Sequence, residues 1–178
     1  MYRAVAVLAL AAAPLAAQDH AEHKMAKHVD PVTSIKPLQD QFLGFITKAA
    51  EQMPEADFAY APTTGVRTFG QLLGHVANAN FMFCATVKGE KSPATVNYES
   101  LATNKAALIE GLKAAAAYCG TTWEAGAKKH HDPVDLFGMK GDVTWALAFN
   151  VAHNAEHYGN LVTYIRMKGM VPPSSQQN

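Results

Sequence analysis

The sequence predicts an all-α protein, a four-helix bundle. Apolar residues recur at steps of three and four along four stretches of about 20 residues each. Capping residues stand at the ends of those stretches, and no segment shows the clean period-two alternation of a half-buried strand. The chain has 178 residues and is 49% hydrophobic, enough for one core and too little for two. A single domain over residues 32–178 is expected.

Ahead of it, Ala4 to Ala17 is apolar, follows Arg3, and ends in the small residues Ala16 and Ala17. That pattern reads as a secretory signal peptide over 1–17, cut near Ala17. The run is shorter than the ~20 apolar residues a membrane span needs, and Pro14 interrupts it. No later segment is apolar enough to span, so the mature protein is expected outside the cytoplasm, in a bacterial periplasm. Residues 18–31 read as a linker. Its His20, His23 and His28 are taken as solvated, because nothing nearby would hold a coordination geometry.

The first helix is expected from Val32 to Met53, carried by Ile35, Leu38, Phe42, Phe45, Ile46 and Ala49, and ended by Pro54. Thr68 with Gln71 has the form of a capping box, opening a second helix that reaches about Val87. A third is expected from Glu99 to Cys119, stopped by Gly120, followed by a long loop from Thr121 to Gly141. Asp142 caps a fourth that runs to Lys168, where Gly169 and then Pro172 and Pro173 end it. There is no internal repeat.

Lys plus Arg equals Asp plus Glu, at 15 each, which leaves no electrostatic footprint for nucleic acid or an anionic membrane. The two cysteines, Cys84 and Cys119, lack Cys-x-x-Cys spacing; in an oxidising compartment they form either a disulfide or two buried thiols.

The chemistry concentrates on the fourth helix. His153 and His157 are one turn apart and point the same way, so both imidazoles can reach one ion. At 100° per residue, Ala146, Asn150, His153, His157, Asn160 and Tyr164 share a side opposite an aliphatic stripe of Leu147, Val151, Tyr158, Leu161 and Ile165. That second stripe is polar but uncharged, as the lining of a cavity would be. His-x-x-Glu-His is also the motif of inverted zinc peptidases, but no Asp or Glu follows His157 to supply their third ligand. The third ligand must come from upstream, and His75, at the edge of an apolar helix face, is the candidate. Glu156 lies to the side of the histidine stripe and reads as a surface charge. His130 and His131 are adjacent and read as diverging loop residues near a cavity mouth.

The stretches Ala61-Pro-Thr-Thr-Gly-Val-Arg67-Thr-Phe-Gly-Gln-Leu-Leu-Gly-His75 and His153-Asn-Ala-Glu-His157-Tyr-Gly159-Asn160, continuing through Arg166 to Pro173, resemble the DinB/YfiT superfamily, distinct from the DNA polymerase that shares the first name. The resemblance implies an up-down-down-up bundle that holds zinc or nickel through one histidine of the second helix and two of the fourth, positions matched by His75, His153 and His157. Asn160 stands where the family often has Gln, and Glu156 where it often has a further His; neither change removes a ligand. Family members of known activity are thiol-dependent transferases or isomerases. The topology implies parallel second and third helices, which would bring Cys84 and Cys119 to one end of the bundle, where a disulfide needs a Cα separation below about 7 Å.

The expected function is therefore that of a metal-dependent enzyme, a thiol transferase or hydrolase acting on a small electrophile, with a divalent ion, zinc first and nickel second, on three histidines. The alternative is a non-catalytic bundle in which the metal is structural. No macromolecular partner is implied beyond the homodimer that bundles of this size often form.

Overall fold

Local capping sets where the helices begin. Asp30 accepts the Thr33 N–H at 2.8 Å, and Pro31 occupies the first helical turn, where its missing N–H costs nothing. The first helix, α1, is Pro31–Gln52. The structure, a computed structural model, describes residues 29–176. The expected signal peptide, most of the linker and its three histidines lie outside the described residues.

Thr68 and Gln71 form the reciprocal capping box, and α2 runs Phe69–Lys88 to Gly89 at φ +70°. Asp142 accepts the Trp145 N–H and opens α4, Val143–Met167, with Gly169 at φ +72° just beyond it. The third helix departs from expectation. Glu99 belongs to a separate 3-10 turn, Tyr98–Leu101, and α3 is Lys105–Gly126, capped by Asn104. Gly120 is helical rather than a stop, because Cys119, Thr122, Trp123 and Gly126 continue the buried face one and a half turns further.

The expected loop is also partly ordered into a hairpin, β1 Pro133–Leu136 and β2 Met139–Asp142, paired antiparallel with Leu136 opposite Met139. Its two-residue turn has Phe137 and Gly138 both at positive φ, as a hairpin turn matched to strand twist requires. So the bundle carries one small strand pair that the periodicity did not predict. Four residues per strand are too few for alternation to stand out.

The helices pack α2 against α3 and α4, and α1 against α4 and α3. A disulfide joins Cys84 to Cys119 with Cα atoms 5.4 Å apart, tying the C-terminal halves of α2 and α3. At the far end of α3, Lys105 Nζ donates to Glu51 O and Met53 O, at the end of α1. The helices α2 and α3 therefore run parallel, and α1 runs against them.

The core has two apolar clusters, one around Ile46, Leu73, Leu112 and Leu161, the other around Phe83, Trp123 and Leu147. Between them lies a layer of buried amides. Asn80 Oδ1 accepts from Gln39 Nε2 at 2.8 Å and from Asn150 and Asn154 Nδ2 at 3.1 Å each, while Asn80 Nδ2 donates to Asn154 Oδ1 at 2.8 Å. All four residues are at most 2% exposed. Within the layer only Asn150 Oδ1 is left without a partner among the described residues, and a polar layer this nearly satisfied fixes axial register, since sliding one helix by a turn would strand buried donors.

Candidate metal centre

α4 presents His153 and His157 one turn apart, and α2 brings His75 opposite them. His153 Nε2 lies 3.1 Å from His75 Nε2 and 3.1 Å from His157 Nε2. One ligand atom from each residue falls within 4.8 Å of the others. Two ring nitrogens in contact with a third are hard to satisfy among themselves, because the single in-plane lone pair or proton of His153 Nε2 cannot serve both neighbours well. A cation accepting three lone pairs satisfies all of them, and nitrogens 3.1 Å apart can both lie about 2.1 Å from one ion. The donor set fits a divalent metal.

The electrostatics agree. Burial, with the charges of His157, His75 and Arg67 adding, pushes His153 down to about 3. His75 and His157 are lowered as well, burial being the largest cause in each, with Glu99 opposing it at His75 and Glu156 at both. The rings are thus held neutral, the form that ligates.

Each ring is oriented differently from behind. His75 Nδ1 faces Glu99 Oε2 at 3.6 Å, and Glu99 Oε1 accepts from Arg67 Nε at 2.9 Å. A carboxylate behind a histidine keeps the proton on Nδ1 and turns Nε2 to the ion. The Asn160 carboxamide stands 3.5 Å from His157 Nδ1 and does the same when its oxygen faces that atom. His153 Nδ1 is buried without a partner among the described residues and is set by packing, with the Phe83 ring 5.7 Å away.

Glu99 reaches His75 because α2 is bare beneath it. A Cβ on Gly70 would overlap the Ala102 carbonyl, and one on Gly74 would stand 2.5 Å from Glu99 N. Glycine at both positions lets the 3-10 turn settle directly on the helix. Tyr98 N donating to Asn78 Oδ1, and Asn78 Nδ2 to Asn97 Oδ1, pin the turn in place.

A cavity of about 710 Å³ opens beside the centre, lined by His157, Arg67, Glu99, Glu156, Asn160 and Tyr164 among others. Tyr164 Oη donates to the Arg67 carbonyl at 2.7 Å and closes one wall.

Several expectations change. Asn150 does not line the cavity; it turns into the amide layer, 0% exposed, where a 100° step is too coarse to separate core from cavity. Glu156 is exposed, as read, but stands on the cavity wall. His130 and His131 do not diverge. Their ring centroids are 4.2 Å apart, and they face Asp30 and Asp142 at the starts of α1 and α4, away from the cavity. Glu99 and Arg67 were not identified as site residues from the sequence, and the Gly70-x-x-x-Gly74 spacing was the one trace that something packs there.

A four-helix bundle with three histidine nitrogens converging from two helices defines the class to which this fold and site belong: helical bundles with a candidate metal centre between facing helices. Residues 46–161 match the DinB superfamily model, and the chain belongs to that superfamily. A solved DinB-like protein from Bacillus cereus ATCC 10987 is similar in fold, with a TM-score of 0.67 and 15% sequence identity over 78% of this chain and 95% of that one. No curated protein matches the sequence.

Proposed function

We propose that this chain is an exported, metal-dependent member of the DinB superfamily, in which His75, His153 and His157 hold one divalent ion, zinc first and nickel second. The observation that carries the reading is the convergence of three neutral Nε2 atoms beside an open cavity. The ion would supply Lewis acidity, lowering the pKa of a water or thiol so that it attacks a small electrophile. The chain's own residues do the rest. Glu99 stands behind His75 Nδ1 and favours the proton there, so that its Nε2 stays free to ligate, and Asn160 does the same for His157 when its carboxamide oxygen faces Nδ1. Leu72, Tyr164, Pro62, Gly65 and Val66 give the cavity part of its wall.

A purely structural ion would be enclosed by its ligands and packed over, whereas His157 lines the cavity; that favours catalysis over the structural alternative. In the same reading residues 1–17 are a cleaved signal peptide and 18–31 a linker, and the periplasm is the destination. The Cys84–Cys119 disulfide suits an oxidising compartment.

Metal analysis of the purified mature protein is expected to find one ion per chain, and essentially none in a His153→Ala/His157→Ala double variant. Equal metal in both would overturn the site. Hydrolysis and thiol transfer on a panel of small electrophiles would follow, and activity surviving His75→Ala would overturn the mechanism. N-terminal sequencing of the periplasmic fraction tests the cleavage near Ala17.

A further inference from the structure

We infer that the cavity binds a small organic anion, with Arg67 taking its carboxylate while the reacting end reaches the metal centre. The inference rests on the metal reading above and deepens it by naming a substrate class.

Arg67 is held at both ends. Its carbonyl oxygen accepts from Tyr164 Oη at 2.7 Å, the next residue is the capping Thr68, and its Nε donates to Glu99 Oε1 at 2.9 Å. Glu99 in turn is seated by its own backbone N–H on Asn97 Oδ1 at 3.0 Å. Among the described residues the two terminal amino groups of Arg67 donate to nothing, and they belong to a side chain on the wall of the cavity that His157 also lines. An arginine whose backbone and Nε are held and whose outer edge is free is partly preorganised for a planar oxyanion, because the Nε bond has already removed some of the side-chain entropy that binding would cost.

The charge balance points the same way. Glu99 is neutralised by Arg67 and engaged with His75, and Glu156 makes no ion pair among the described residues. With a divalent ion on three neutral imidazoles, the cavity carries a net positive charge even when both glutamates are counted. Glu156 stands on the α4 side of the cavity and, like the 43% exposed Arg67 side chain, is screened by water, so the buried ion dominates the field inside. Gln71, Asn160 and Thr163 add neutral hydrogen-bonding groups to the lining and no further charge. A neutral apolar substrate would leave the guanidinium edge without a partner, and a cationic one would meet both Arg67 and the ion.

The test uses the Co(II)-loaded mature protein and three thiols of similar size as probes: 3-mercaptopropionate, 2-mercaptoethanol and cysteamine. Binding of each is read from the thiolate-to-cobalt absorption band. The anionic thiol is expected to bind about tenfold more tightly than the neutral one, the size of one charge-assisted contact at a partly exposed site. That preference should shrink at high salt and fall to about one in Arg67→Met, while Arg67→Lys keeps part of it. Comparing two thiols within one variant cancels any change in cobalt affinity caused by disturbing Glu99 and His75. Equal binding of the anionic and neutral thiols by the wild type, an unchanged preference in Arg67→Met, or a preference for cysteamine would each overturn the assignment. A wild-type protein that takes up no cobalt would instead fail the metal reading, and the anion site with it.

Discussion

Replacing Asn80 by leucine removes the hub of the buried amide layer without emptying its volume. Three buried groups then lose their partner: among the described residues Gln39 Nε2 and Asn154 Oδ1 have no other bond, and Asn150 Nδ2 keeps just a 4.0 Å contact with Cys84 Sγ. Each stranded group costs about 1–3 kcal/mol, so even the low end sums to about 3 kcal/mol. Leucine recovers part of this through its apolar surface, and relaxation of the amides recovers more, but the stranded groups have no route to solvent at 0–2% exposure. A net loss of about 3 kcal/mol is a large share of a typical 5–15 kcal/mol stability and corresponds to roughly 6–12 °C in melting temperature for a chain of this size. Urea and thermal unfolding followed by circular dichroism measure it. The consequence reaches the metal centre, because the layer ties Asn80 on α2 to Asn154 on α4, next to His153, so cobalt affinity should fall by about tenfold or more along with stability. A stability loss below about 1 kcal/mol, with cobalt binding unchanged, would refute the claim that this layer sets the α2–α4 register.

Gly74→Ala places a methyl group against Glu99 N and should push the 3-10 turn off α2, lowering metal affinity several-fold through His75; unchanged metal binding, by calorimetry, would contradict the role given to Glu99. Replacing Cys84 and Cys119 together by alanine opens a loop with a sequence separation of 35 and should cost about 4 kcal/mol in urea unfolding, a loss that reducing agent reproduces in the wild type. Burial and the hydrogen bond to Glu90 raise Tyr118 to about 12 from its ordinary 10.0. The folded state therefore favours the protonated phenol, and its contribution is complete below pH 10 and lost as pH rises from 10 toward 12. Tyr118→Phe should flatten that part of the stability profile; an identical alkaline decline in the variant would assign it to other groups.

How much could be read in advance follows the range of each interaction. The capping box at Thr68 and Gln71, the Asp142 cap, and the stop at Gly169 are contacts within a few residues, and all stand where the sequence places them. The His153 and His157 pairing is equally local, a consequence of 3.6 residues per turn. The third helix was misplaced at both ends, because Asn104 outcompetes Glu99 as its start and a buried face through Trp123 carries it past Gly120. Those choices depend on what α3 packs against, which helix propensity does not encode.

The sequence by itself determined the number of helices, most of their boundaries, and three histidines of which two must share a face. Tertiary structure alone decided that Asn150 turns inward to Asn80 rather than to the cavity, that Glu99 stands behind His75, and that Arg67 leaves its outer edge free at the cavity wall. The physical reason is the same in each case. Hydrogen bonds across 19 to 115 positions of chain form only once helices are seated side by side, and the glycines at 70 and 74 show in the sequence as missing side chains, not as the turn that fills their place.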